Sequence, residues 1–108
     1  PVQSVPTPFG DADILTLAGA VLALRHGKDG AVPAHRVSHA ANLRALKDTG
    51  ARCVIGIQSA GSLKQALPPG SLLVPHDYIS LGPAPTLFED NRDPHIVPAF
   101  DEGLRTSL

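Results

Sequence analysis

Methionine and tryptophan are absent from this chain, and cysteine and tyrosine occur once each. A lone Cys53 excludes an internal disulfide framework and suits a reducing compartment. Set within an apolar run, it is expected to be a buried small hydrophobe rather than a nucleophile. The missing methionine and the abrupt opening Pro1-Val2-Gln3 raise the expectation of a segment of a longer polypeptide. Lysine and arginine never form a run and the formal net charge is −1, which excludes a general attraction to nucleic acid or to anionic membrane. Ile14 to Leu24, the longest apolar stretch, is too short to span a bilayer and is broken by Gly19. No signal peptide is visible, so a cytoplasmic location is expected. What remains is ordinary globular material. The chain is 43% hydrophobic and 18% charged, enough for a packed core, and its 108 residues bound it to one small domain over 1–108.

Thr7-Pro8-Phe9-Gly10 reads as a turn, and the apolar runs on either side of Gly19 read as a hairpin. Lys28 to Pro33, with its Asp-Gly step, is a loop. Val37, Ala40, Ala41 and Ala45 share one helical face, widened by Leu43 and Leu46, and Gly50 stands where a helix stops. Arg52 to Ile57 is a β-rich run without alternation, the pattern of a strand covered on both faces. Leu63 to Leu67 suits one helical turn, broken by Pro68-Pro69-Gly70. Ser71 to Pro75 reads as a further strand, continued by Tyr78 to Ser80. Gly82 to Pro98 is a long Pro- and Asp-rich loop, and Asp101 suits the N-cap of a closing helix through Leu104. The order predicts an α/β fold with a mixed central sheet flanked by helices.

Two short phrases follow apolar runs and carry the chemistry. Arg25-His26-Gly27 places a fork of donors at the end of the first, and Gln58-Ser59-Ala60-Gly61-Ser62-Leu63 places a small-residue turn at the end of the second. Glycine lets main-chain N–H groups approach an oxyanion closely, so both phrases point to phosphate. Each also has a plain reading, as a surface strand end and as an ordinary strand-to-helix turn. The second phrase lacks the Gly-Lys-Ser/Thr of a P-loop and is not the Gly-x-Ser-x-Gly of a hydrolase elbow. His35 and His39 stand four apart with no carboxylate between them, too little for a metal site, and none is expected. His76-Asp77, His95 and the acidic group of Glu89, Asp90 and Asp93 read by default as surface.

Taken in order, Thr7-Pro8-Phe9-Gly10, Arg25-His26-Gly27, Val37 through Lys47, Gly61-Ser62-Leu63, Pro69-Gly70 and His95-Ile96-Val97-Pro98 resemble the first half of one family. It is the family of trimeric purine nucleoside phosphorylases and methylthioadenosine phosphorylases. The resemblance covers nearly the whole chain and implies a partial nucleoside phosphorylase-like domain. It implies a pentosyltransferase of purine salvage in which inorganic phosphate attacks C1′ of a 5′-methylthioadenosine-like nucleoside and the base leaves. A 6-oxopurine nucleoside phosphorylase and a catalytically silent nucleoside-binding homologue are the alternatives. A structural fragment, stable only within an oligomer or with a second half, is a further reading.

By the same resemblance Arg25, His26 and Ser59 bind phosphate, Ser59 through its main-chain N–H. Gln58 and Ala60 line the substrate, and His95 reaches the 5′ end from a neighbouring subunit, which implies a homotrimer. No catalytic residue is assignable within this segment, and no cofactor is implied, because phosphate is the co-substrate. Gln58 stands where the family has Thr or Asn, and Ser38-His39-Ala40-Ala41-Asn42 stands where it has Asn-Tyr-Arg-Ala-Asn.

Overall fold

The computed structural model describes residues 1–82 and 99–108. The described residues fall into two compact units, one of Pro1–Ile55 and one from Gly56 onward.

The first unit is a three-stranded sheet with one helix across it. Strands β1 (Val2–Thr7), β2 (Gly10–Leu17) and β3 (Ala20–Ala23) form a meander in the order β1-β2-β3. Both connections are the expected tight turns. Thr7 pairs with Gly10 across Pro8-Phe9, and Leu17 pairs with Ala20 across Ala18-Gly19. Gly10 (φ 106°) and Gly19 (φ 79°) take the left-handed backbone that such turns need. Thr7 fastens the first turn through its side chain, its hydroxyl donating to the Gly10 carbonyl at 2.6 Å and accepting from Phe9 N–H at 3.1 Å.

A short 3₁₀ turn (Ala34–Arg36) precedes helix α1 (His39–Asp48). Ser38 caps α1, its Oγ accepting from Ala41 N–H at 3.3 Å and donating to the Phe9 carbonyl at 3.3 Å. One side chain thus satisfies a helix-end donor and ties the helix to the β1–β2 turn. Gly50 ends the helix in the left-handed region, φ 82°, with its N–H on the Lys47 carbonyl.

Helix α1 packs across all three strands. The core is built from Ala12 and Ile14 of β2 and Ala41 and Ala45 of α1, with Val5, Phe9 and Val21 packed against it. Leu46 is also buried. Leu43, expected on the inner face, is exposed, because it lies about 200° around the helix from Ala41. The alternation along β2 sends Ala12 and Ile14 inward, and alanine on the facing helix lets it approach the sheet closely.

The fold is α/β as expected, but its sheet is wholly antiparallel. β1, unmarked by any apolar run, is an additional strand. The strands expected at Arg52–Ile57, Ser71–Pro75 and Tyr78–Ser80 do not form among the described residues. A doubly covered strand needs hydrogen-bonded neighbours and two packed faces, and no described segment supplies them here. For the same reason Cys53 is exposed rather than buried.

In the second unit, two reverse turns close through Leu67 N–H to the Lys64 carbonyl (3.0 Å) and Ser71 N–H to the Pro68 carbonyl (3.1 Å). Tyr78 and Phe100 meet as a tilted ring pair at 5.3 Å. Helix α2 (Glu102–Ser107) is capped by Asp101 as expected, with Oδ1 accepting from Leu104 N–H at 2.7 Å.

Candidate functional site

The Arg25-His26 phrase folds into a reverse turn. Gly27 N–H donates to the Leu24 carbonyl at 2.7 Å, so Arg25 and His26 occupy the two central positions of the bend. A second turn follows at once, closed by Gly30 N–H on the Gly27 carbonyl at 3.1 Å. Gly27 has φ 77°, and a Cβ there would sit 3.3 Å from Val32 Cγ2. Glycine is required both by its backbone angle and by that close approach.

The loop is stapled back on itself at His26. Val32 N–H donates to the His26 carbonyl at 2.9 Å, and the His26 ring meets the Val32 carbonyl at 2.8 Å through Nδ1. A carbonyl only accepts, so Nδ1 carries the hydrogen and Nε2 is the nitrogen left for a ligand. Nε2 can accept a hydrogen bond from a ligand when the ring is neutral and donate one when it is charged.

Arg25 opens onto a cavity of about 290 Å³ lined also by Asp11 and Asp13 of β2, by Arg36, and by Ser38 and Asn42 at the start of α1. The size is at the low end for ligand pockets. Two arginines lining one cavity suit an oxyanion, because a guanidinium offers a planar fork of donors. Neither Arg25 nor Arg36 has an ion pair among the described residues. The sequence pattern did not single out Arg36, Ser38, Asn42 or Asp13 as site residues. The available signal was Asp13 itself, a carboxylate in the middle of a strand, where aspartate is disfavoured.

Gln58, Ser59 and Ala60 lie in the second unit, and all three are exposed. Beside them Ser62 forms a local hydroxyl turn, its Oγ donating to the Lys64 carbonyl at 2.8 Å and accepting from Lys64 N–H at 3.2 Å. His95, with Glu89, Asp90 and Asp93, lies outside the described residues. His76 is exposed, and the Asp77 carboxylate turns back onto Tyr78 N–H at 2.8 Å. His35 ends up in the 3₁₀ turn and His39 at the first position of α1. Among the described residues no three His, Cys, Asp or Glu side chains gather as a metal would require, and no helix is long and apolar enough to cross a membrane.

A probable 6-oxopurine nucleoside phosphorylase of Archaeoglobus fulgidus is 42% identical over 96% of this chain and 44% of its own length. A probable S-methyl-5′-thioinosine phosphorylase of Methanothermobacter thermautotrophicus is 34% identical over 86% of this chain and 35% of its own. The S-methyl-5′-thioadenosine phosphorylase of Hyperthermus butylicus is 30% identical over 94% of this chain and 41% of its own. The chain therefore spans less than half the length of these curated relatives. No solved structure matches it. The family model described as the phosphorylase superfamily matches residues 7–108, and the chain belongs to that superfamily.

Proposed function

We propose that this chain forms the phosphate-binding part of a purine nucleoside phosphorylase, which cleaves a nucleoside to free base and ribose 1-phosphate. The observation that carries the reading is the Leu24–Gly27 turn, which holds Arg25 on a polar cavity shared with Arg36. The names of the relatives, all phosphorolytic, support it. In the reaction a phosphate oxygen forms a bond to C1′ while the C1′–N9 bond breaks. The purine leaves with the electron pair and takes up a proton. Positive charge develops on the sugar, so an anion fixed beneath it is at once nucleophile and electrostatic stabiliser.

Arg25 clamps phosphate oxygens, and His26 adds a contact through Nε2. Ser59 offers its main-chain N–H, with Gln58 and Ala60 against the substrate and His95 reaching the 5′ end from a neighbouring subunit of a homotrimer. No cofactor takes part, since phosphate is the co-substrate. Neither nucleic acid nor membrane is a partner, and the enzyme works in purine salvage in the cytoplasm. The substrate is a 5′-methylthio purine nucleoside. A 6-oxopurine nucleoside such as inosine is the second reading, favoured by the relative at 42% identity.

The test is base release from methylthioadenosine and from inosine by the full-length protein, with and without inorganic phosphate. Release that requires phosphate is expected, and the better substrate names the branch. Phosphate-independent binding without turnover would overturn the reading in favour of a silent nucleoside-binding homologue.

A further inference from the structure

Asp13 presents a contradiction that the phosphate reading alone does not resolve. It sits in the interior of β2, where aspartate is unfavourable, and it lines the cavity that holds Arg25. A carboxylate there repels a phosphate. Local rules broken without an apparent gain mark positions selected for something else.

Its hydrogen bonds supply the gain. The Asp13 carbonyl accepts from Leu24 N–H at 2.8 Å, just before the turn. The Asp13 carboxylate accepts from Lys28 N–H at 2.9 Å, just after it. One residue therefore grips both ends of the segment that displays Arg25 and His26. A main-chain bond on one side and a side-chain bond on the other fix the turn against the sheet. The guanidinium is then held in place before the ligand arrives.

We propose that Asp13 is a positioning residue for phosphate, fixing the Arg25-His26 turn through the acceptor oxygen it offers to Lys28 N–H and not through its charge. This rests on the phosphorolytic reading above. The proposal separates two effects of opposite sign. Removing the carboxylate lowers repulsion of the anion, and removing the acceptor loosens the turn.

The experiment uses steady-state kinetics of the full-length protein with phosphate and nucleoside varied separately. Asp13→Asn keeps an oxygen for Lys28 N–H and loses the charge, so its phosphate KM should fall about two- to threefold. Asp13→Ala loses both, and its phosphate KM should rise about tenfold, with a much smaller change in the nucleoside KM. Asp13→Thr suits a strand, has a hydroxyl one bond too short, and replaces the alanine variant should that one not fold. A fall in phosphate KM in both variants would make Asp13 a mere repulsive neighbour and overturn the proposal. An equal rise in both would assign the effect to charge and overturn it as well. If the wild-type protein releases no base with phosphate, the functional reading fails separately. Amide hydrogen exchange then tests the geometry: Lys28 should exchange faster in Asp13→Ala and not in Asp13→Asn, and unaltered exchange in both would overturn it.

Discussion

At the scale of single residues, the site depends on what a side chain is bonded to as much as on what it is. His26 is expected to bind phosphate, but its Nδ1 is committed to Val32 at 2.8 Å, so one nitrogen remains for a ligand. Arg25 has no such commitment among the described residues and is exposed at the bend. Arg25→Ala in the full-length protein should therefore raise the phosphate KM by about a hundredfold, the loss of a charge-assisted, forked contact, and leave nucleoside binding much less affected. Phosphate dependence of the initial rate measures it, and an unaltered KM would remove Arg25 from the site. Cys53 illustrates the reverse. Its apolar neighbours Val54 and Ile55 are themselves half exposed, so hydrophobic neighbours in sequence did not bring burial.

At the scale of elements, α1 is held by its cap and by small residues. Ser38 serves two partners, Ala41 N–H and the Phe9 carbonyl, and it stands on the cavity wall. Ser38→Ala should cost about 1 kcal/mol of stability, seen as a lower midpoint in urea with an unchanged slope. Helix α2 offers a pH dependence. The hydrogen bond from Arg105, Nε to Oε2 at 2.9 Å, together with its charge, holds the Glu102 carboxyl below the usual glutamate range. A carboxyl lowered in the folded state stabilises above its unfolded value, about 4.3, and that stabilisation is lost as the pH falls through the folded value. Helix content over residues 101–107, followed by NMR shifts during acidification, should decline in that window. Glu102→Gln should flatten the decline.

At the scale of the whole molecule, α1 covers one face of the sheet, and apolar side chains of the other face are exposed among the described residues. Val2, Leu15 and Leu22 stand opposite one another across the three strands, on the side away from Ile14 and α1. Val2, Leu17 and Leu22 are exposed there, at 42%, 48% and 44%. β1 and β3 each have a single partner, leaving two open edges among the described residues. Leu63, Leu72, Ile79 and Leu81 of the second unit are exposed as well. Apolar surface of this kind marks an interaction face. A polypeptide of residues 1–108 should elute above its 11.2 kDa monomer mass and increasingly so with concentration. Leu22→Lys should shift it toward the monomer. Monomeric behaviour of the unsubstituted chain at every concentration would count against that face.

Local physics made much of this protein readable from its sequence. Turns at Pro8-Phe9 and Gly19, the stop at Gly50 and the cap at Asp101 follow from backbone angles and from side chains that bond within three residues. Such features need no distant partner, and the motif order that placed the chain among phosphorylases is likewise linear. Pairing and burial were decided elsewhere. β1 carries little apolar signal and is a strand because β2 offers it a complete register, Val2 to Leu15 through Thr7 to Gly10. Arg52 to Ile57 has the stronger signal and is unpaired among the described residues, because strand stability comes from neighbours. Nothing in the spacing of Asp13 and Lys28 announces that they meet. Only the folding of β2 against the loop after β3 brings a carboxylate to the amide fifteen residues away.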